Sequence, residues 1–79
     1  MHFIKVKIIN CKTASVRKHP YLPLYANDII AELKNGDNID IDPGNVCYNW
    51  QGRKFYKTRK PNGWIYSGII DYKEAVNSG

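Results

Sequence analysis

Short stretches in which apolar and charged residues alternate are the feature that most restricts how this chain folds. In FIKVKII, residues 3–9, isoleucine and valine alternate with two lysines, and in NIDID, residues 38–42, two isoleucines alternate with aspartates. Successive side chains of a strand point to opposite faces. Each stretch therefore predicts a strand with one face buried and one face in water.

Turn residues recur at short intervals between further apolar runs. KNGD at 34–37, Asn62-Gly63 and Ser67-Gly68 are predicted turns, and Asn-Gly is the strongest hairpin signal because both central residues of a type I′ turn need positive φ. A helix capped by Asp28 is an alternative over residues 28–33, but the run is short and a strand is preferred. Further strands are predicted at 14–17, 28–33, 53–60, 64–66 and 69–72.

Seventy-nine residues are enough for one small domain. Five or six short strands without a convincing helix tend to close into a barrel, because closure buries the strand edges. We therefore expect an all-β, mostly antiparallel barrel over residues 1–72, followed by a short C-terminal tail over residues 73–79.

The net charge of +5 comes from one segment, RKFYKTRK at residues 53–60. Outside it, seven basic residues balance seven acidic residues. A local basic patch attracts phosphates or an acidic protein. The alternative is a solvated strand face on which lysine and arginine prevent edge pairing. The basic residues of the patch are Arg53, Lys54, Lys57, Arg59 and Lys60.

The chain has no motif for metal binding or catalysis. His2 and His19 are isolated, and Cys11 and Cys47 form no CxxC pair. A nucleophilic cysteine would need a neighbouring base and an oxyanion hole, so we expect no enzyme activity, no metal and no cofactor. A disulfide is an alternative for the two cysteines, although reduced, partly buried thiols are typical of a cytosolic protein.

The distribution of apolar residues gives an expectation for localisation. No stretch approaches the roughly 20 apolar residues of a membrane span, and lysines interrupt the apolar run near Met1 where a signal peptide would need one. We expect a cytoplasmic protein if the chain starts natively at Met1. We expect an extracellular or cell-wall protein if the chain is excised from a larger one.

Four segments share their order and spacing with a known domain family. SVRKHP at 15–20 is similar to its N-V-R-x-x-P segment, and IIAELKNGDNIDI at 29–41 to its apolar strand, lysine-rich turn, glycine and next strand. FYKT at 55–58 stands where the family has W-Y-x-V, and NGWIYSGII at 62–70 is similar to its G-W-V-x-x-x-Y-L close. Over residues 8–72 the chain thus resembles the bacterial SH3-like (SH3b) domain. The resemblance implies a small SH3-like barrel with long loops at one end, acting as a binding module without catalysis.

The resemblance also implies where a ligand binds. In the SH3 arrangement the loop at 19–28 lies beside the loop at 43–52, and both are rich in aromatic residues. Aromatic side chains give large contact area at low entropy cost. The alternative is that Trp50 and one tyrosine fill the end of the barrel. The predicted ligand-binding residues are Tyr21, Tyr25, Tyr48 and Trp50.

The same resemblance orients the basic strand. It places Tyr56 and Thr58 inward, and it places Trp64 in the core, where the family packs its tryptophan. The opposite orientation would direct Lys57 and Arg59 into the core. An aromatic ring flanked by two cations on a strand stacks on a base and contacts phosphates. The residues expected to point outward together are Phe55, Lys57 and Arg59.

Three classes of function are consistent with these patterns. The first is a non-catalytic module that binds a host, virion or cell-wall-associated protein through the loop aromatics. The second is a small basic barrel that binds nucleic acid through the strand at 53–60. The third is a structural or assembly protein of a phage or mobile element, with an oligomeric state that the sequence does not define.

Overall fold

A computed structural model describes residues 2–20 and 27–72, which form one antiparallel sheet of six strands in the order β1-β4-β5-β6-β2-β3. The all-β, mostly antiparallel class is confirmed. A short 3-10 turn, Ser67–Ile69, follows the last strand. The strands are β1 (Ile4–Lys7), β2 (Thr13–Arg17), β3 (Ile29–Lys34), β4 (Asn38–Tyr48), β5 (Lys54–Arg59) and β6 (Gly63–Tyr66).

The two alternating stretches of the sequence pair with each other. Val6 of β1 lies opposite Ile39 of β4, and both side chains are buried. Lys5 lies opposite Asp40 on the other face of the sheet. Since residues directly opposite in an antiparallel pair share a face, one face is apolar and the other carries cross-strand pairs of opposite charge.

One cluster of buried residues forms the core, and it draws on both ends of the sheet. Val6 and Ile8 enter it from the β1 end, while Ala14 and Val16 enter it from β2 near the other end. A flat sheet would hold these side chains far apart, so the sheet must curl around its apolar face. The cluster comprises Val6, Ile8, Ala14, Val16, Ile39, Ile41, Tyr56, Ile65 and Ile70.

Backbone hydrogen bonds hold the curled ends near each other. The N–H of Ile8 donates to the carbonyl of Asp37 at 2.8 Å, and the N–H of Gly36 donates to the carbonyl of Ile8 at 2.8 Å. These bonds join the chain after β1 to the β3–β4 turn. Within the described residues β1 and β3 do not pair with each other, so the ladder of strands is not closed.

The segment after β6 differs from the predicted final strand at 69–72. Ser67–Ile69 form the 3-10 turn, and Ile70 makes a single bridge to Ile8. The N–H of Asp71 then donates to the carbonyl of Lys7 at 2.8 Å. The prediction of a strand here is wrong. The 3-10 turn occupies Ser67–Ile69, so only Ile70 pairs with Ile8, the residue that follows β1.

β4 is longer than predicted. It continues to Tyr48 through residues expected in a loop, with a shift of register between Asp42 and Val46. The N–H of Gly44 donates to Oδ1 of Asp42 at 3.0 Å inside this irregular stretch. Asp42 is buried, whereas the alternation in residues 38–42 predicts that it faces the solvent. An irregularity of this kind lets a strand pass residues, such as Pro43, that cannot complete a regular ladder.

The β5–β6 hairpin does not use the predicted Asn62-Gly63 type I′ turn. The positive φ falls at Lys60, at 53°, and the Lys60–Pro61 peptide is cis. Thr58 organises the loop instead: its Oγ1 donates to the carbonyl of Pro61 at 2.8 Å and accepts from the N–H of Gly63 at 3.0 Å. The Thr58 side chain is fully buried, so water does not compete for these two bonds. They fix the three-residue loop between β5 and β6.

Two predicted features lie outside the described residues. These are Tyr21 and Tyr25 of the first loop, and the tail at 73–79. Among the residues that the structure describes, no helix is long and apolar enough to cross a membrane.

Candidate ligand-binding surfaces

Tyr48 and Trp50, two of the four predicted ligand-binding aromatics, are exposed at one end of the sheet. Tyr48 is 57% exposed and Trp50 is 65% exposed. Val46 lies two residues before Tyr48 on β4 and is 38% exposed. The alternative in which Trp50 fills the end of the barrel is therefore wrong. Val46, Tyr48 and Trp50 are called the loop surface below.

The turn that carries Trp50 is held by the side chain of Asn49, which is only 8% exposed. Its Oδ1 accepts hydrogen bonds from the N–H of Gln51 and from the N–H of Arg53, both at 2.9 Å. An Asn side chain that bonds the backbone two residues ahead mimics a backbone turn.

Backbone bonds close the same turn. The N–H of Asn49 donates to the carbonyl of Arg53 at 3.0 Å, and the N–H of Gly52 donates to the carbonyl of Asn49 at 3.0 Å. Gly52 has a φ of 78°, a conformation that glycine adopts without steric cost. Four hydrogen bonds thus keep Trp50 on a defined backbone while its ring stays in water.

The basic strand has the predicted orientation but not the predicted exposure. Tyr56 and Thr58 point inward, at 2% and 0% exposed, which confirms that part of the prediction. Phe55 lies on the opposite face, yet it is only 5% exposed. The ring of Tyr66 on β6 covers it, with the ring centroids 5.6 Å apart. The prediction that Phe55 is free to stack on a base is wrong.

The cations of the basic patch contact different neighbours. The Arg53 guanidinium lies 5.5 Å from the Tyr66 ring centroid, and the Lys54 ammonium lies 5.3 Å from the centroid of Tyr56. Arg59 donates from Nη2 to Oδ2 of Asp40 at 2.9 Å. The patch is therefore divided among separate contacts across the sheet.

Trp64 is not in the core, and that prediction is wrong. The neighbouring Ile65 is fully buried opposite Tyr56, so strand alternation turns Trp64 to the outer face. There Trp64 lies between Lys57 and Arg17, its two cross-strand partners. The Lys57 ammonium lies 5.1 Å from the centroid of the Trp64 ring.

An open pocket of about 480 Å³ lies at the other end of β5. Phe3 forms one side of it, and its ring centroid is 4.6 Å from the Arg59 guanidinium carbon. One signal in the sequence points to this pocket: the alternation in residues 3–9 places Phe3 on the same face as Lys5 and Lys7. The lining residues are Phe3, Lys57, Thr58, Arg59, Lys60 and Asn62.

No group of three or more metal-ligating side chains occurs within residues 2–20 and 27–72. Cys11 and Cys47 are both free and half-buried. Cys11 packs against the core cluster, and Cys47 lies on β4 in register with Phe55. The disulfide alternative is therefore not realised.

No family model, curated protein or solved structure matches the chain. Function is therefore inferred from the loop surface and the pocket themselves.

Proposed function

We propose that the chain is a non-catalytic binding module of the bacterial SH3-like type, which engages a protein ligand through the loop surface. The six short antiparallel strands curled around one core support the SH3-like barrel as its architecture. The order of the four sequence segments that resemble the family supports the same proposal.

The observation that carries this proposal is the exposure of Tyr48 and Trp50 beside a tightly bonded turn. A large apolar ring in water gives no burial free energy to the fold, and single exposed apolar residues are ordinary. Two exposed rings lie only two residues apart in the sequence, and tyrosine and tryptophan dominate binding hot spots. The bonds around Asn49 lower the entropy lost on binding, because the turn is already ordered.

The neighbours of the two rings favour a protein ligand. Gln51 and Arg53, in the same turn as Trp50, are exposed, so the segment combines apolar and polar exposed groups. Protein interfaces have this arrangement, with the apolar part excluding water and the polar part hydrogen bonding. A host, virion or cell-wall-associated protein with an apolar contact surface is the class of partner we propose.

Nucleic-acid binding along the whole strand at 53–60 has weaker support. The burial of Phe55 removes its proposed stacking platform. The pair between Arg59 and Asp40 neutralises one cation of the strand. A salt titration against DNA and RNA tests this alternative, because several phosphate contacts make affinity fall steeply as salt rises.

The proposal is tested by affinity capture with two matched double variants. Tyr48→Ala with Trp50→Ala removes the loop surface, whereas Ile29→Ala with Ile30→Ala removes two apolar side chains of 42% and 43% exposure from β3. Each bait is presented to lysate and to isolated cell envelope, and captured proteins are quantified by mass spectrometry.

We expect a partner that the wild type and the β3 variant retain and that the loop-surface variant loses. Urea unfolding of all three proteins checks that the fold is intact. A partner captured equally by the loop-surface variant contradicts the proposed binding site. Sedimentation with purified peptidoglycan separates a wall polymer from a protein as the ligand.

A further inference from the structure

The pocket between Phe3 and the β5–β6 hairpin is a second site, separate from the loop surface. We propose that it binds a nucleoside phosphate, with the phosphate on the pocket lysines and the base against Phe3 and Arg59. The ligand is either a free nucleotide or one nucleotide of a single strand, since both present the same chemistry.

The charge of the pocket favours a phosphate. Lys57, Arg59 and Lys60 line it, and none of its lining residues is acidic. Asp40 balances the charge of Arg59, so the two lysines supply the positive charge for a ligand. A phosphate monoester carries up to two negative charges and three strong acceptor oxygens. A phosphate ligand therefore matches a group of cations better than a ligand with a single carboxylate does.

Two of the three cations are held in place before any ligand arrives. Arg59 bonds Asp40 through Nη2, and a guanidinium has five N–H donors, so the ion pair leaves other donors for a ligand. The Lys57 ammonium stays near Trp64 through the ring contact. Fixed cations lose less conformational entropy on binding than freely rotating ones.

The uncharged part of the lining favours a flat ring. Phe3 is half-buried, and the guanidinium of Arg59 lies over its ring, so the two planar groups stack in the pocket lining. Nucleobases stack on aromatic rings and on guanidinium planes. The exposed Asn62 carboxamide offers donors and an acceptor for a base edge. The Thr58 hydroxyl does not contribute, because Pro61 and Gly63 already use it.

The size of the pocket is compatible with one nucleotide. A volume of about 480 Å³ lies within the usual range of small-molecule sites, about 300 to 1,000 Å³. The site is also independent of the loop surface. No residue belongs to both surfaces. Tyr48 is in register with Lys54 at the start of β5, whereas the pocket is lined by the last three residues of β5 and by the loop that follows it.

The test is an amide NMR titration of the ¹⁵N-labelled full chain. The ligands are adenosine 5′-monophosphate, adenosine, inorganic phosphate and a short single-stranded oligoadenylate. We expect the monophosphate to shift the amide signals of Phe3 and of residues 57–63. We expect adenosine and inorganic phosphate to bind at least about tenfold more weakly, because each lacks one half of the proposed contacts.

Charge variants separate a defined site from general attraction. Lys57→Gln with Lys60→Gln should weaken monophosphate binding by about tenfold or more. Lys12→Gln with Lys18→Gln changes the net charge equally at two exposed lysines outside the pocket lining and should change affinity by less than about twofold. Phe3→Leu should weaken binding of the monophosphate but not of inorganic phosphate.

Three results would overturn the proposal. The first is that the two lysine pairs weaken monophosphate binding equally. The second is that no shifts appear at Phe3 and residues 57–63 at about 50 mM salt, where phosphate contacts are strong. If oligoadenylate binds more tightly and the Lys57/Lys60 variant abolishes that binding, the ligand is a strand. Equal affinities for oligoadenylate and for adenosine 5′-monophosphate show that the ligand is the free nucleotide. Oligoadenylate binding that survives the Lys57/Lys60 variant also contradicts the proposal.

Discussion

Nη1 of Arg17 donates a hydrogen bond to Oδ1 of Asp28 at 2.6 Å, and the two side chains are only 12% and 4% exposed. The second oxygen of Asp28 accepts from the N–H of His19 at 3.1 Å. The N–H of Lys18 also donates to the carbonyl of Asp28 at 2.9 Å. These bonds join the end of β2 to the residue before β3, so they fix both ends of the intervening loop.

Asp28→Asn should destabilise the fold by about 3 kcal/mol, because the charge of Arg17 then stays buried without its carboxylate partner. The matched control is Asp40→Asn. It breaks the pair with Arg59, whose side chain is 52% exposed, and should cost less than about 1 kcal/mol. Urea unfolding measures both free energies. Equal losses would show that burial of the Arg17–Asp28 pair contributes nothing extra.

Thr58→Val should cost about 2 kcal/mol, because the N–H of Gly63 and the carbonyl of Pro61 lose their shared hydroxyl partner. Thr58→Ser keeps the hydroxyl and removes one buried methyl group, so a loss of about 1 kcal/mol is expected. The measurement is the free energy of unfolding of both variants. A serine variant less stable than the valine variant would show that packing, not hydrogen bonding, sets the role of Thr58.

Gly63→Ala should destabilise the fold by at least about 2 kcal/mol. A Cβ at this position would lie 2.8 Å from the carbonyl oxygen of Arg17 and 2.8 Å from a side-chain carbon of Val16. The contrasting variant is Gly36→Ala, where φ is 92° but no atom lies within 4 Å, so only backbone strain of about 1 to 2 kcal/mol applies. Amide exchange should also rise at Trp64 in Gly63→Ala only. Equal exchange in the two variants would contradict close packing of β6 against β2.

Asn49→Ala should accelerate amide hydrogen exchange at Gln51 and Arg53, because both N–H groups lose the Oδ1 acceptor. A stability loss of about 1 kcal/mol is expected. Partner capture should fall even though Tyr48 and Trp50 remain. Asn49→Asp keeps an acceptor oxygen and should retain slow exchange. Capture at the wild-type level in Asn49→Ala would show that the ordered turn does not assist binding.

Strand positions were largely predictable from sequence, because alternation reports which face of a strand is buried. Pro43 and Gly44 read as the start of a loop, yet β4 passes through them by shifting its register. The type I′ turn predicted at Asn62-Gly63 is absent because contacts outside the dipeptide set the conformation of the loop. The Thr58 side chain forms bonds with the hairpin loop that a turn dipeptide does not encode.

The candidate surfaces were only partly predictable. The exposure of Tyr48 and Trp50 agrees with the prediction of a second aromatic loop, although Tyr48 is the last residue of β4. The burial of Phe55 depends on Tyr66, a cross-strand neighbour that is known only once the register is known. The resemblance predicts Trp64 in the core, but Ile65 pairs with Tyr56 on the inner face, so Trp64 lies on the outer face.

The placement of the two tryptophans has a practical consequence for studying this protein. Trp50 is exposed on the loop surface, and Trp64 packs against Lys57, which lines the pocket. The chain has only these two indole fluorophores. Trp50→Phe and Trp64→Phe would therefore each leave one emission signal beside one surface, and occupancy of the two surfaces could be followed separately without an added label.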